Sequence, residues 1–195
     1  YFSIWIFQCK LSWITFLFPY RPETVIIFLQ PALTDRHTSE RKVCFIMSVE
    51  IVRDYFKKNN IAKEILEFPV SSATVELAAQ AVGVEPARIA KTLSFYTKEK
   101  DAAVLIVTAG DMKIDNSKFK QFFGMKAKML APEDVEPLTG HAIGGVCPFG
   151  NPESTTVYLD VSMKRFETVF PAAGSGNSAV ELTCGELERY ACAKE

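Results

Sequence analysis

The stretch KTLSFYTKEKDAAVLIVTAG, residues 91–110, contains two apolar runs that are separated by the charged segment KEKD. Two such runs with a short polar connection predict a β-hairpin. The second run, AAVLIVTAG, is apolar almost throughout, which predicts a strand that is buried on both faces. The other predicted elements lie before and after this hairpin.

Helices and strands follow one another irregularly on either side of the hairpin. Capping residues and helical spacing predict helices over residues 48–60, 71–84, 85–90, 115–124, 132–140 and 184–195, the last of them running to the end of the chain. Apolar runs between turn residues predict strands over residues 63–68, 155–163, 164–174 and 177–183. Without a regular βα repeat, this order predicts an α+β fold rather than a Rossmann fold: a compact, mixed, largely antiparallel β-sheet or barrel that is flanked by helices.

The first 46 residues differ from the rest of the chain. They are rich in Phe, Trp and Ile, but no stretch reaches the ~18 uninterrupted apolar residues of a membrane-spanning helix. These residues also lack the basic-then-apolar order of a signal peptide and its small-residue cleavage site. We therefore predict a native protein that begins at Met47, with residues 47–195 as one domain and residues 1–46 as a non-native or poorly ordered extension. The alternative is an anchor at a membrane interface.

Composition and charge narrow the possible function classes. The chain has 195 residues, of which 48% are hydrophobic and 23% are charged, and its formal net charge is −1. This balance excludes a generally basic nucleic-acid coat protein, so any RNA contact requires a local basic patch. One lysine-rich segment interleaved with phenylalanines could contact RNA phosphates or could simply be the solvent face of a helix: Lys113, Lys118, Lys120, Lys126 and Lys128.

The cysteine pattern argues against a disulfide scaffold and against zinc. The number of cysteines is odd and no CxxC motif occurs: Cys9, Cys44, Cys147, Cys184 and Cys192. Paired Cys/His spacing for a metal is also missing. We expect a reducing, cytoplasmic location and no bound metal.

The strongest candidate for function is GHAIGGVCPFGNP, residues 140–152, which we call the glycine loop. Its four glycines let the backbone approach a ligand and turn amide groups toward it. The same composition is typical of a tight connection between strands. The loop lacks the Lys-Ser/Thr of a phosphate-binding Walker loop and the dinucleotide fingerprint.

Three side chains near this loop or the hairpin allow two interpretations each. Cys147 could be a nucleophile only with a base and a lowered pKa, and we favour a small buried filler. His141 could transfer protons or bind substrate, or it could fix the loop. Lys91, at the start of the first hairpin strand, could bind a phosphate at a cleft edge or could be an ordinary solvated lysine.

Four segments together resemble the YbaK/prolyl-tRNA-synthetase-associated editing-domain family. They are VEPARIAKTLSF, AVLIVTAGDMKID, GHAIGGVCPFG and VYLDVSMKRFETVFPAAGSGNSAVELT, in this order. The resemblance extends from about Ser48 to the end of the chain and includes none of residues 1–46. It implies a free-standing hydrolase that removes wrong amino acids from mischarged tRNA, in many members tRNA for proline, without a cofactor or a metal. It also implies aminoacyl-tRNA as a partner, a synthetase as a further one, and no membrane for residues 47–195.

The resemblance also implies residue roles. Lys91 matches the lysine of the family's KTL motif, which positions the phosphate of the terminal adenosine. Residues 144–148, GGVCP, match its GxxxP loop, whose amides bind the aminoacyl carbonyl while a ribose hydroxyl of the substrate activates the water. The implied catalytic set is Lys91, Gly144, Gly145 and Val146. The implied substrate-binding set is Thr92, His141, Cys147, Pro148, Phe149, Gly150 and Gly174.

Two of these matches are imperfect. His141 occupies a position that is histidine in only some subfamilies, and Cys147 stands where relatives often carry serine. A small pocket of this family would accept residues such as alanine or cysteine. The alternative function is a non-catalytic module of the same fold that binds tRNA or a synthetase.

Overall fold

The computed structural model describes residues 48–194, so the predictions about residues 1–46 lie outside the described part. Its helices are α1 (residues 48–58), α2 (Val75–Val82), α3 (Asn116–Phe123), α4 (Pro132–Thr139) and α5 (Cys184–Tyr190). Its strands are β1 (Ile65–Glu67), β2 (Ile89–Tyr96), β3 (Ala103–Ala109), β4 (Thr156–Leu159), β5 (Thr168–Pro171), β6 (Ser178–Val180) and β7 (Leu182–Thr183). Two 3-10 turns, Pro86–Arg88 and Val161–Arg165, complete the set.

The predicted hairpin is confirmed and forms the centre of the sheet. Strands β2 and β3 pair antiparallel from Ala90 opposite Ala109 to Tyr96 opposite Ala103. The five-stranded sheet has the order β4-β3-β2-β5-β7, in which β4 and β5 each run parallel to their hairpin neighbour. Strands β1 and β6 form a separate antiparallel pair. The mixed α+β fold predicted from the sequence is therefore confirmed.

Strand β3 is buried on both faces, as its composition predicts. On one face Leu105 and Val107 are completely buried in the main core, which also contains residues of α1 and α5. On the other face Val104 packs with Phe95 and with Phe119 of α3. The helices therefore cover both sides of the hairpin, because each side presents apolar side chains that must be removed from water.

The helix ends agree with the capping residues of the sequence. Thr74 caps α2 by accepting a hydrogen bond from the Leu77 amide at 3.3 Å, and the helix ends at Gly83 with φ of 82°. Asp115 caps α3, which ends at Gly124 with φ of 67°. Glycine tolerates this left-handed conformation, so both ends are local features that a sequence can reveal.

Three predicted boundaries are wrong, and in two of them long-range pairing is the reason. Residues 85–90 form one 3-10 turn instead of a helix, because Ile89 and Ala90 already pair with β5. Strand β4 stops at Leu159, and Asp160 caps the 3-10 turn that follows. Helix α5 ends at Tyr190, and the Lys194 amide donates to the Val157 carbonyl of β4 at 2.9 Å.

Three backbone segments meet without any side chain between them beside the glycine loop. A Cβ atom added to Gly145 would lie 2.3 Å from the carbonyl oxygen of Gly174. One added to Gly174 would lie 2.3 Å from the carbonyl oxygen of Ser48 at the start of α1. The glycine loop, the segment after β5 and the start of α1 are therefore stacked at a spacing that only glycine permits at these two positions.

We expect the variant Gly145→Ala to be less stable than the wild type by about 1–3 kcal/mol, because the new methyl group would overlap the backbone of residue 174. A matched control is Gly185→Ala in α5, where nothing lies within 4 Å of the added Cβ. That control should keep or raise the free energy of unfolding by up to about 1 kcal/mol. Urea unfolding of both variants tests this, and equal midpoints would contradict the proposed close packing.

Candidate functional site

A cleft of about 180 Å³ lies where the start of α2, the start of β2 and the glycine loop approach one another. It is lined by the described residues Ser72, Ala73, Thr74, Val75, Ala78, Ile89, Ala90, Lys91, Thr92, Gly144, Val146, Phe170, Ala172, Ser178 and Ala179. Four residues predicted from the sequence therefore meet here: Lys91, Thr92, Gly144 and Val146. We call this space the candidate cleft.

The Lys91 ammonium group is fixed by the backbone that follows β3. Its Nζ donates to the carbonyl oxygen of Gly110 at 2.9 Å and to that of Met112. Gly110 packs against the turn before β2 so closely that a Cβ there would lie 2.0 Å from the Pro86 carbonyl oxygen. An ammonium group has three donors, so one N–H of Lys91 remains for a ligand.

The glycine loop offers two backbone amides near the candidate cleft. The amides of Gly144 and Val146 have no hydrogen-bond acceptor within residues 48–194. The Gly145 amide differs, because it donates to the Ala142 carbonyl oxygen at 2.9 Å within the loop. Gly144 has φ of 87°, which turns the chain between the two amides. Of the three residues predicted to provide amides, Gly144 and Val146 are thus available.

The lining of the candidate cleft is mostly small and apolar. Its polar side chains are hydroxyls and the ammonium group of Lys91, and no described lining residue is an acid, a histidine or a cysteine. The hydroxyl of Thr92 is buried and has no hydrogen-bond partner among residues 48–194. The cleft can therefore bind a small apolar group next to an anionic or carbonyl group, but it contains no side chain suited to act as a general base near neutral pH.

Three side chains of the glycine loop form a buried cluster: His141, Cys147 and Phe149. All three are completely inaccessible to solvent, and none of them lines the candidate cleft. The His141 Nε2 atom lies 2.8 Å from the Phe149 carbonyl oxygen and 3.5 Å from the Cys147 Sγ atom. In this structure these side chains face the core and not the candidate cleft.

The hydrogen bonds of this cluster define its protonation. The carbonyl oxygen of Phe149 only accepts, so the proton of the neutral His141 ring lies on Nε2. Burial lowers the pKa of His141, which keeps the ring neutral. Burial also raises the pKa of the Cys147 thiol to about 12. An Nε2 atom that donates to a carbonyl cannot accept the thiol proton, so the pair lacks the features of a nucleophile and its base.

The remaining predicted site residues support the loop from outside the candidate cleft. Pro148 is buried beside Cys147. Gly150 has φ of 66° and approaches Ile51 of α1, where an added Cβ would lie 3.0 Å from a side-chain carbon. Gly174 contacts Gly145 and Ser48, as described above. These three residues shape the loop and do not line the cleft.

Sequence reasoning missed the apolar walls of the cleft. Val75 and Ala78 belong to the start of α2, and Ala73 lies just before it. Phe170 belongs to β5, Ala172 follows that strand, and Ala179 belongs to β6. Small residues in SSATVELAA and in FPAAG were visible as composition, but only the tertiary structure brings them together. The Ser72 hydroxyl donates to the Gly176 carbonyl oxygen at 3.1 Å and joins the two walls.

Comparison with known proteins places this geometry in a family. The model of the aminoacyl-tRNA editing domain matches residues 70–190, which include α2, the hairpin and the glycine loop. The chain belongs to the aminoacyl-tRNA editing domain family. The resemblance seen in the sequence is confirmed by this match.

Relatives of this editing domain occur both as separate proteins and inside synthetases. The uncharacterized protein YwhH of Bacillus subtilis (strain 168) is 56% identical over 148 residues, which are 76% of this chain and 94% of YwhH. The proline--tRNA ligase of Thermosipho melanesiensis is 31% identical over 113 residues, which are 57% of this chain but 19% of the ligase. The editing domain described here thus spans about a fifth of that ligase.

A solved structure of an editing domain has the same architecture. It belongs to a protein proposed to be a trans-editing enzyme for prolyl-tRNA synthetase. The TM-score is 0.69 at 31% identity, and the alignment covers 75% of this chain and 93% of that chain. The fold of the described editing domain is therefore the one that the family adopts.

Two features of other function classes are absent from residues 48–194. No helix within residues 48–194 is both long enough and apolar enough to span a bilayer. The same part of the chain contains no group of three or more His, Cys, Asp or Glu side chains that could bind a metal ion.

We expect Cys147 to resist alkylation in the folded protein. With a pKa of about 12, only about one thiol in 10,000 is ionised at pH 8, and the thiolate is the reactive form. Iodoacetamide should modify the exposed Cys192 and leave Cys147 unmodified until the protein is denatured. Peptide mass spectrometry distinguishes the two sites, and modification of Cys147 at the rate of Cys192 would reveal an accessible thiolate.

Proposed function

We propose that this protein deacylates mischarged aminoacyl-tRNA in trans. The observation that carries the proposal is that Lys91, Gly144 and Val146 line one small, mostly apolar cleft, and that the amides of Gly144 and Val146 have no acceptor within residues 48–194. An aminoacyl-tRNA ends in a phosphate, an ester carbonyl and an amino-acid side chain, and an ammonium group, backbone amides and an apolar wall can bind these three groups.

In this proposal the two amides bind the ester carbonyl. As water attacks, negative charge develops on the carbonyl oxygen, and donors that are fixed in advance stabilise it. Gly144 and Val146 can serve this role because their amides have no internal acceptor within residues 48–194. The Gly145 amide instead keeps the loop in shape through its bond to Ala142.

Lys91 positions the 3′ end of the tRNA. The carbonyl oxygens of Gly110 and Met112 fix the ammonium group, and its remaining N–H points the charge at the phosphate of the terminal adenosine. Fixing this phosphate places the ester over the loop amides. The cleft provides no carboxylate, imidazole or thiol among its described lining residues, which supports activation of the water by a ribose hydroxyl of the substrate.

The size of the cleft supports selection of small amino acids such as alanine or cysteine. The whole cleft has a volume of about 180 Å³, and Val75, Ala78 and Phe170 are among its apolar lining residues. A tRNA for proline is the proposed carrier, because the relatives include proline--tRNA ligases and a protein proposed to edit for prolyl-tRNA synthetase. The same proposal places the protein in the cytoplasm, where it acts alone or bound to a synthetase.

The test of the mechanism is hydrolysis of mischarged tRNA by Lys91→Ala. We expect kcat/KM to fall at least about 100-fold, because the ester loses its alignment with the loop amides. The matched control Lys98→Ala removes an exposed lysine from the turn of the same hairpin and should act like the wild type. Cys147→Ala should also retain hydrolysis, since the buried thiol contacts no substrate.

Three outcomes would overturn parts of this proposal. Full activity of Lys91→Ala would remove Lys91 from the mechanism. Loss of hydrolysis in Cys147→Ala with intact tRNA binding would establish a thiol mechanism. A wild type that binds tRNA but hydrolyses none of a panel of mischarged tRNAs would be a binding module.

The amino-acid specificity is tested with the same panel. We expect alanyl and cysteinyl esters to be hydrolysed and large aliphatic esters to be excluded. Val75→Ala widens the cleft and should raise hydrolysis of an ester one methylene larger by about 10-fold or more. Leu77→Ala, an exposed position of α2 that does not line the cleft, is the control. Unchanged specificity in Val75→Ala would show that this wall does not contact the amino acid.

A further inference from the structure

A second and larger concavity borders the segment after β3, whose Met112 carbonyl oxygen accepts a hydrogen bond from Lys91. It has a volume of about 770 Å³ and is formed by β3, β4, α3, the 3-10 turn after β4 and the end of the chain. Its floor is apolar and includes exposed aromatic surface: the Phe122 side chain is 64% exposed and packs edge-on against the Tyr158 ring at 5.5 Å. Nothing in the proposed chemistry uses this surface.

Four lysines surround the concavity: Lys113, Lys118, Lys164 and Lys194. None of them forms a salt bridge with a carboxylate in the described part of the chain. They come from three separate parts of the sequence, so only the fold assembles them. We call this concavity, with its four lysines, the lysine groove.

The acidic residues of the lysine groove are mostly occupied by the backbone. Asp115 accepts hydrogen bonds from the Ser117 and Lys118 amides at the start of α3, and these bonds lower its pKa. Asp160 accepts from the Ser162 amide at 2.9 Å. Glu188 is the third acid of the lining. These bonds leave the carboxylates charged, so the lining has four exposed lysines against three acids, a formal excess of one positive charge, although the whole chain has a net charge of −1.

The lysine groove and the candidate cleft have no lining residue in common, but the hydrogen bond from Lys91 to Met112 connects them. Lys91 lines the cleft and donates to the Met112 carbonyl oxygen, while Met112 and Lys113 line the groove. A nucleic-acid strand whose terminal residue binds at Lys91 can thus continue over residues 110–112 into the groove. Basic side chains beside exposed aromatic rings are the combination that binds single-stranded nucleic acid, through phosphates and through stacked bases.

We propose that the lysine groove binds the single-stranded 3′ end of the tRNA, upstream of the terminal adenosine. This inference rests on the proposed function, which places the adenosine at Lys91. The lysines contact phosphates, and the Phe122 ring provides a face on which a base stacks.

The test is binding of uncharged tRNA, measured as a function of salt, by Lys118→Gln/Lys164→Gln. We expect about tenfold weaker binding than in the matched control Lys57→Gln/Lys58→Gln, which removes the same charge from exposed positions of α1. The slope of log K against log salt should become shallower by about 1.4, from about 0.7 for each single-strand phosphate contact. With a tRNA that lacks its single-stranded 3′ end, the two variants should bind equally.

Phe122 provides a second, charge-neutral readout. Phe122→Leu keeps an apolar side chain but removes the ring, and it should weaken tRNA binding about 5-fold or more, as expected for loss of one stacked base. Phe122→Tyr keeps an aromatic ring and should bind tRNA like the wild type. Thermal unfolding of each variant identifies any loss that is due to the fold.

The outcomes separate this inference from the proposed function. Weaker binding by the lysine variant, with no hydrolysis by the wild type, would support the groove and refute the hydrolase. Hydrolysis by the wild type, with equal tRNA affinity and salt slope in the lysine variant and its control, would refute the groove. Loss of synthetase docking with unchanged tRNA affinity would also refute it and would assign the surface to a protein partner.

Discussion

The close approach of three backbone segments at Gly145, Gly174 and Ser48 is the constraint on which the site depends. Here a loop, the segment after a strand and the start of a helix contact one another directly, with carbonyl oxygens in the space where Cβ atoms would otherwise lie. This packing fixes the glycine loop against α1 on one side. It leaves Gly144 and Val146 at the edge of the cleft with amides that have no acceptor in the described part of the chain. The buried cluster of His141, Cys147 and Phe149 supports the loop from below.

The second part of the site is an ammonium group that belongs to the sheet. Lys91 lies near the start of β2, and its Nζ atom donates to the carbonyl oxygens of Gly110 and Met112, which follow β3. Both groups therefore depend on the same register, in which Lys91 lies opposite Thr108. A shift of one residue in this register would turn the side chain to the other face of the sheet. Sheet pairing and charge placement are thus one feature of the structure.

Structural features that depend on residues close in sequence could be predicted, and features that depend on residues far apart could not. The hairpin and the ends of α2 and α3 depend on residues close in sequence, such as Thr74 with Gly83, and they were predicted. The turn at Pro86 depends on pairing with β5, far along the chain, and it was not predicted. In the site, Lys91 and the glycine loop were recognisable as unusual residues in unusual places. A buried Cys147 was favoured from the usual burial of free cysteine. The burial of His141 was not recognisable, because a loop sequence does not show which side of it faces the core. The grouping of Lys118 with Lys164 likewise requires the tertiary structure.

The composition of the cleft also bears on how its chemistry would respond to pH. Among the described lining residues there is no side chain of a type that titrates between pH 5 and 8. A hydrolase of this composition transfers no proton through its own imidazole or carboxylate, so a bell-shaped pH–rate profile from such groups has no source in the cleft. Its rate would instead follow the ionisation of the ester's own amino group and the supply of hydroxide. The protein would then amplify the intrinsic lability of its substrate by a nearly constant factor over the physiological range.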